Sequence, residues 1–71
     1  MTHYTHSHVG HLAGEVHRCL EQEGRAMSVM DVSLKIRMWP WDVLLAFGWL
    51  ESEDKVRLRR RLAAITAELK R

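Results

Sequence analysis

Three groups of residues have side-chain types and spacing that could do chemistry. The first is a set of N-terminal histidines, His3, His6, His8 and His11, spaced H-x2-H-x-H-x2-H. Imidazole is a good ligand for nickel, copper or zinc. A structural zinc site needs four well-placed ligands, however, and no cysteine or carboxylate falls within the cluster. These histidines are therefore read as part of a polar tail, and no metal is assigned. The second group is His17 with Cys19. A nucleophilic cysteine needs a base and a third group to orient that base, and the sequence places neither a third group nor a pocket here. Both are read as packing residues. The third group is the basic run Arg57, Arg59, Arg60 and Arg61, to which Lys35 and Arg37 are added as candidates from elsewhere in the chain. Clustered guanidinium groups suit polyanions, nucleic acid above all.

The charge distribution sharpens that third reading. The formal net charge is only +2. Residues 1–54 carry four Lys/Arg against eight Asp/Glu, whereas residues 55–71 carry seven Lys/Arg against one Glu. A basic end on an acidic domain makes a polyanionic partner worth considering; a solvated terminal element is the plainer alternative. Enzymatic readings fare worse. There is no glycine-rich phosphate loop, no pair of carboxylates around an evident pocket, and no nucleophile with its base, so neither catalysis, a cofactor nor a small-molecule substrate is expected.

Seventy-one residues make one domain, near the size at which a single core is marginally sufficient. An apolar content of 46% is too high for intrinsic disorder. No apolar run reaches ~18 residues, so no membrane span is expected. The N-terminus lacks the basic start and apolar block of a signal peptide. A single cysteine fits a reducing cytoplasm.

The element that must position everything else is Trp39–Leu50, which holds all three tryptophans, the only phenylalanine and the only proline. Pro40 marks a helix start, because proline tolerates the first turn. Asp42 in that turn favours the helix dipole. Val43, Ala46, Phe47 and Leu50 form one apolar face, and Trp41, Leu45 and Trp49 form another at i, i+4, i+8. Both cannot enter so small a core unless something covers the second.

The rest of the chain supplies the packing. Residues 1–8 read as a mobile tail and residues 9–71 as the domain. Val9, Leu12, Ala13, Val16 and Leu20 form one buried stripe of a helix from about His8 to Glu23, ended by Gly24. Gly14 and Gly48 are expected to mark a close approach of this helix to the tryptophan helix. Ala26-Met27 leaves room for a short strand. Ser28 followed by Asp31 resembles a capping box for a helix over Val29 to about Ile36. On that helix Met30 and Leu34 form a minor apolar row, continued by Met38. Lys55–Arg59 alternates as a half-buried strand. Residues 61–71 fit two descriptions. Ile65, Ala67 and Leu69 alternate as a strand would, while Leu58, Leu62, Ile65 and Leu69 fit a helix, and no glycine marks a hairpin turn.

The order helix, short strand, helix, helix, strand, with Val9-Gly10, Ala13-Gly14-Glu15-Val16, the Gly24…Ser28-Val29 step and Ala46-Phe47-Gly48-Trp49-Leu50…Glu53-Asp54-Lys55-Val56, resembles a known pattern. It is similar to a family of small bacterial winged helix-turn-helix proteins of uncharacterised function. The family runs I-G-x-x-A-G-x-[IV]-W, then glycine and S-[LV], then A-L-G-W-L-x-R-E-x-K-[IV]. The likeness covers residues 9 to about 58 well. Departures are His17 for tryptophan, Ser52 for arginine, and a wing without its usual glycine or acidic turn. The resemblance implies a mainly α fold of three helices with a small β wing, and a wing of Val56–Arg60 paired with Ile65–Leu69 is expected because strand addition closes the open edge beside Ala26-Met27.

That fold commonly binds double-stranded DNA, with the second helix of the motif in the major groove. Base edges there are read by Arg, Lys, Asn or Gln, and the tryptophan helix has none of these. What is left for DNA is mostly non-specific phosphate contact by Arg57, Arg59, Arg60 and Arg61, joined by Lys35 and Arg37. The expected function is thus a non-enzymatic, transcription-related, DNA-associated protein acting through its wing. The alternative is a protein-interaction or homodimerisation module whose face is Trp41, Leu45, Met30, Leu34 and Met38.

Overall fold

The computed structural model describes residues 6–70. Their order is α1 (His6–Glu23), β1 (Met27–Ser28), α2 (Val29–Ile36), α3 (Pro40–Ser52), β2 (Val56–Arg61) and β3 (Ala64–Leu69). The tail expected over residues 1–8 lies, for its first five residues, outside the described residues. From His6 the backbone is already helical, two residues before the expected start.

The helices pack as their apolar spacing requires. Leu12, Ala13, Val16, Cys19 and Leu20 of α1 meet Val43, Ala46, Phe47 and Leu50 of α3, with Met27, Val32, Val56 and Ala67 closing the core. Phe47 is its largest fully buried side chain. Cys19 Sγ lies 4.0 Å from Met27 Sδ, and burial pushes its thiol pKa up, followed by the nearby Glu23 carboxylate. His17 is turned instead to Glu21, at 3.6 Å. Cysteine and histidine thus serve different neighbours.

The step from β1 into α2 and on to α3 is held by local hydrogen bonds. The Asp31 N–H donates to Ser28 Oγ at 3.0 Å, and the Ser28 N–H donates to the Asp31 carboxylate at 3.2 Å. This is the capping box, with two helix-start donors satisfied reciprocally. At the other end of α2, Arg37 adopts φ 55° and the Met38 N–H donates to the Ser33 carbonyl at 3.1 Å. The Ser33 hydroxyl returns a bond of 2.6 Å to the Met38 carbonyl. Ser33 is the one buried polar residue among those described, and these bonds explain how it is tolerated there. They also fix the turn between the two helices of the motif.

The sheet has the order β1-β3-β2 and is antiparallel throughout. Residues 64–69 are therefore strand rather than helix: β3 lies between β2 and the short β1, giving its backbone a partner on both sides. The short strand sits one residue later than expected, at Met27–Ser28, pairing Met27 with Ala67 and Ser28 with Thr66. The wing strands each reach one residue nearer the turn than expected, with Arg61 opposite Ala64. Leu62-Ala63 forms a two-residue connection, with Leu62 at φ 53°.

Two expectations of packing are corrected. Gly14 and Gly48 are not contact points, because a Cβ at either would meet nothing within 4 Å. The edge of Trp49 lies instead over Gly10, where an added Cβ would be 3.9 Å from Cζ2. The exposed helical glycines thus retain their entropic cost with no packing return. Gly14→Ala and Gly48→Ala are each expected to stabilise the domain by ~1 kcal/mol, a rise in melting temperature of roughly 4–8 °C. A lower melting temperature for either variant would show that the position is covered after all.

The chain leaving α3 is tied to the end of β3. Asp54 takes φ 62°, and its carboxylate accepts a hydrogen bond from the Lys70 ammonium, while the Lys70 N–H donates to the Lys55 carbonyl at 3.0 Å. The Lys70 hydrogen bond holds the Asp54 carboxyl below its usual pKa. A depressed carboxylate pKa stabilises the fold above the unfolded value, and that stabilisation disappears as pH falls through the folded value. Asp54→Asn, which keeps the tolerance for positive φ, should lower the melting temperature at neutral pH and converge with the parent in acid. Equal differences at both pH values would refute this.

Candidate nucleic-acid interface

Strand alternation sorts the four wing arginines onto two faces. Val56, Leu58 and Arg60 share a face with their cross-strand partners Leu69, Ala67 and Ile65. Val56 and Ala67 are buried and Leu58, Ile65 and Leu69 pack against the core, so this is the inner face. Arg57, Arg59 and Arg61, opposite Glu68, Thr66 and Ala64, occupy the outer one. Successive members of that row are roughly 6.5 Å apart along the strand.

All four guanidinium groups are exposed. Among the described residues none makes an ion pair; Arg57 is not bonded even to Glu68 across the ladder. The other cations are largely committed. Lys35 lies 3.3 Å from Glu23, at the end of α1. Arg25 is shared between Glu23 and Asp31, at 3.7 and 3.9 Å. Lys55 is 3.6 Å from Glu53, and Lys70 serves Asp54. Arg37 is exposed at the α2–α3 turn, beside Met30, Met38 and Trp39 rather than on the wing. Lys35 is thereby committed to a carboxylate, whereas Arg37 has no ion pair among the described residues.

The face of α3 away from the core is apolar. Trp41 is 67% exposed, Leu44 and Leu45 are half-buried, and Gly48 is exposed. Between this helix and the wing runs a groove of about 340 Å³, lined by Val29, Met30, Pro40, Trp41, Leu44 and Ile65 among others. The wing turn borders Trp41 without covering it. Met30 (53% exposed), Leu34 (75%) and Trp39 (78%) continue the apolar surface over α2 and its turn. Met38 and Leu45 are half-buried, and Met38 packs against the core, so they contribute less to that surface than expected.

Trp39 and Leu62 are exposed apolar residues missing from the expected face. Trp39 precedes the helix-starting proline, where apolar spacing carries no facing information. Leu62 stands at the turn of the wing, fully solvent-exposed. As for a metal, His3 lies outside the described residues, and His11 Nε2 is 3.7 Å from Glu15. Among the described residues no three potential ligands gather. No helix among them is long and apolar enough to cross a membrane.

Three helices, a helix-turn-helix over α2 and α3, and a two-stranded wing returning to pair with β1 define the architecture. Residues 1–68 match the family described as winged helix-turn-helix domain, DUF2582. The chain belongs to that family. Among curated proteins none is significantly similar in sequence. A solved structure described as giving insight into the DNA recognition and protein interaction domains of HOP2, and into its homologous DNA pairing, shares the fold. It superposes with a TM-score of 0.77 at 19% identity, over 83% of this chain and 98% of the other. At that identity the likeness concerns the winged-helix fold alone.

Proposed function

We propose that this winged-helix domain is a non-enzymatic, DNA-associated protein that grips the phosphate backbone with its wing and does not read bases with α3. One observation carries the reading: Arg57, Arg59 and Arg61 stand in a row on the outer face of the sheet, and no carboxylate of the described residues pairs with them. Guanidinium groups left uncommitted on an exposed strand can release counterions from a polyanion at little reorganisation cost. The fold, widely used for DNA recognition, supports the same reading. Helix α3 offers no cationic or amide side chain for base edges, and its Asp42 and Glu51 would be repelled by phosphates.

Titration with mixed-sequence duplex DNA at two salt concentrations tests the proposal. Affinity that falls steeply with salt and varies little with sequence is expected; no salt-sensitive binding at low ionic strength would remove it.

A second reading has its own observation. The exposed Met30, Leu34, Trp39 and Trp41 form the kind of aromatic- and methionine-rich surface found where proteins meet. A second copy on this face would appear in sedimentation equilibrium as a dimer.

A further inference from the structure

Arg60 is the one wing arginine on the inner face of the sheet, directly across the ladder from Ile65. Ile65 lines the groove whose opposite wall is Trp41. An exposed indole thus stands on one wall of an apolar cleft, and the other wall, Ala64 and Ile65, is paired across the ladder with the uncommitted Arg61 and Arg60. Its lining side chains are apolar apart from the Ser28 hydroxyl, whose oxygen accepts the Asp31 N–H in the α2 cap. Such a cleft fits the flat face of a base better than its edge.

Fully paired DNA keeps its base faces stacked, and α3 has no side chains to read the edges it does display. An unstacked base, in contrast, presents a π-face that an indole can cover whatever its identity, while arginines follow the adjoining phosphates. We infer that the groove between Trp41 and the wing turn accepts an unstacked nucleobase, so that the domain prefers single-stranded nucleic acid to fully paired duplex. The inference rests on the wing's proposed role for its phosphate contacts and adds the class of strand. Charge selects this occupant: Arg60 and Arg61, the ladder partners of the lining residues Ile65 and Ala64, carry uncommitted charge that an apolar partner alone would leave unanswered.

The test compares labelled oligothymidylate with a duplex of equal length by fluorescence anisotropy at low salt, using the whole chain. Tighter binding of the single strand is expected, with quenching of intrinsic tryptophan fluorescence on saturation. Trp41→Ala should weaken the single-strand complex roughly 5- to 160-fold, the range for one base–aromatic stack, and leave duplex binding unchanged. Trp41→Phe should restore most of the affinity. Trp41 is outside the core, so the folded state should survive either change; Arg60→Ala, expected to weaken the single strand more than the duplex, is an independent check should Trp41→Ala not fold. Equal affinity for both strands with no effect at Trp41 would overturn the groove inference while leaving the wing's role in place. No salt-sensitive binding of either nucleic acid would overturn both. A dimer that Trp41→Ala converts to monomer, with oligothymidylate affinity unaltered, would assign the cleft to a second copy of the chain and so overturn the inference.

Discussion

Phe47→Ala is expected to unfold the domain or bring it to the edge of unfolding. Phe47 is fully buried, and Val16, Leu20, Met27, Val32, Val43 and Val56 are buried in the same core from four other elements of the fold as well as its own helix. Truncation of a buried phenylalanine removes its transfer free energy and leaves a cavity that neighbours fill only in part, a combined cost of ~3–5 kcal/mol. A chain of this length has roughly 4–10 kcal/mol of stability in total, at ~0.05–0.15 kcal/mol per residue. The substitution therefore removes a large share of whatever is available. Far-UV circular dichroism with a thermal melt reads the result. A cooperative transition shifted by only a few degrees would show that the core is not centred on Phe47. Trp41, by contrast, should tolerate truncation, since it is two-thirds exposed on the same helix.

The contrast between those two aromatic residues was legible in the sequence. Val43, Ala46, Phe47 and Leu50 recur at helical spacing, and all four are buried. The capping box at Ser28 and Asp31 was equally plain, because both its partners are fixed by a three-residue separation. The turns were less so. Arg37, Asp54 and Leu62 all adopt positive φ, where glycine is the usual signal. At Arg37 the Ser33 hydrogen bonds hold the turn, and near Asp54 the tie to Lys70 does. For Leu62 the tie is tertiary: β3 has partners in both β1 and β2, and that pairing outweighs the helical propensity of Arg61-Leu62-Ala63-Ala64. The alternation of Ile65, Ala67 and Leu69 allowed it beforehand, and the likeness to a winged-helix family favoured it.

The candidate site was legible in composition and not in geometry. A run of arginines is visible anywhere one looks along residues 57–61, but which of them share a face depends on register, and register depends on the strand. Once β2 is a strand beside β3, Arg60 separates from its neighbours and faces Ile65, which lines the groove. The ion pair of Lys35 could not be read from sequence, since its partner Glu23 is twelve residues away on another helix. Trp39 is hidden for a related reason: it is the cap residue before Pro40, outside the helical period that sorts inside from outside.

That sorting of the wing gives the second large effect. Replacing Arg57, Arg59 and Arg61 together by Ala is expected to abolish most binding to duplex DNA, about equally for every sequence. Each phosphate left without its arginine should flatten the dependence of log affinity on log salt by up to ~0.9, about 2.7 for the three. Through those three phosphates alone, an about fourfold rise in salt would weaken the parent complex roughly fortyfold, and the triple variant would lack that sensitivity. The folded state should be untouched, because all three side chains are exposed on an edge strand and none of them is ion-paired with the described residues. Arg60→Ala supplies the internal control. It removes the same charge one residue away, on the opposite face of the strand, and should change the duplex salt slope much less than any one member of the outer row. Anisotropy titrations of the parent, the triple variant and Arg60→Ala at several salt concentrations decide the matter. Equal slopes for the parent and the triple variant would mean that phosphates are not met by the outer face of the wing. A weakening from Arg60→Ala as large as that from each outer arginine would instead mean that net charge, rather than the alternation of the strand, governs the interaction.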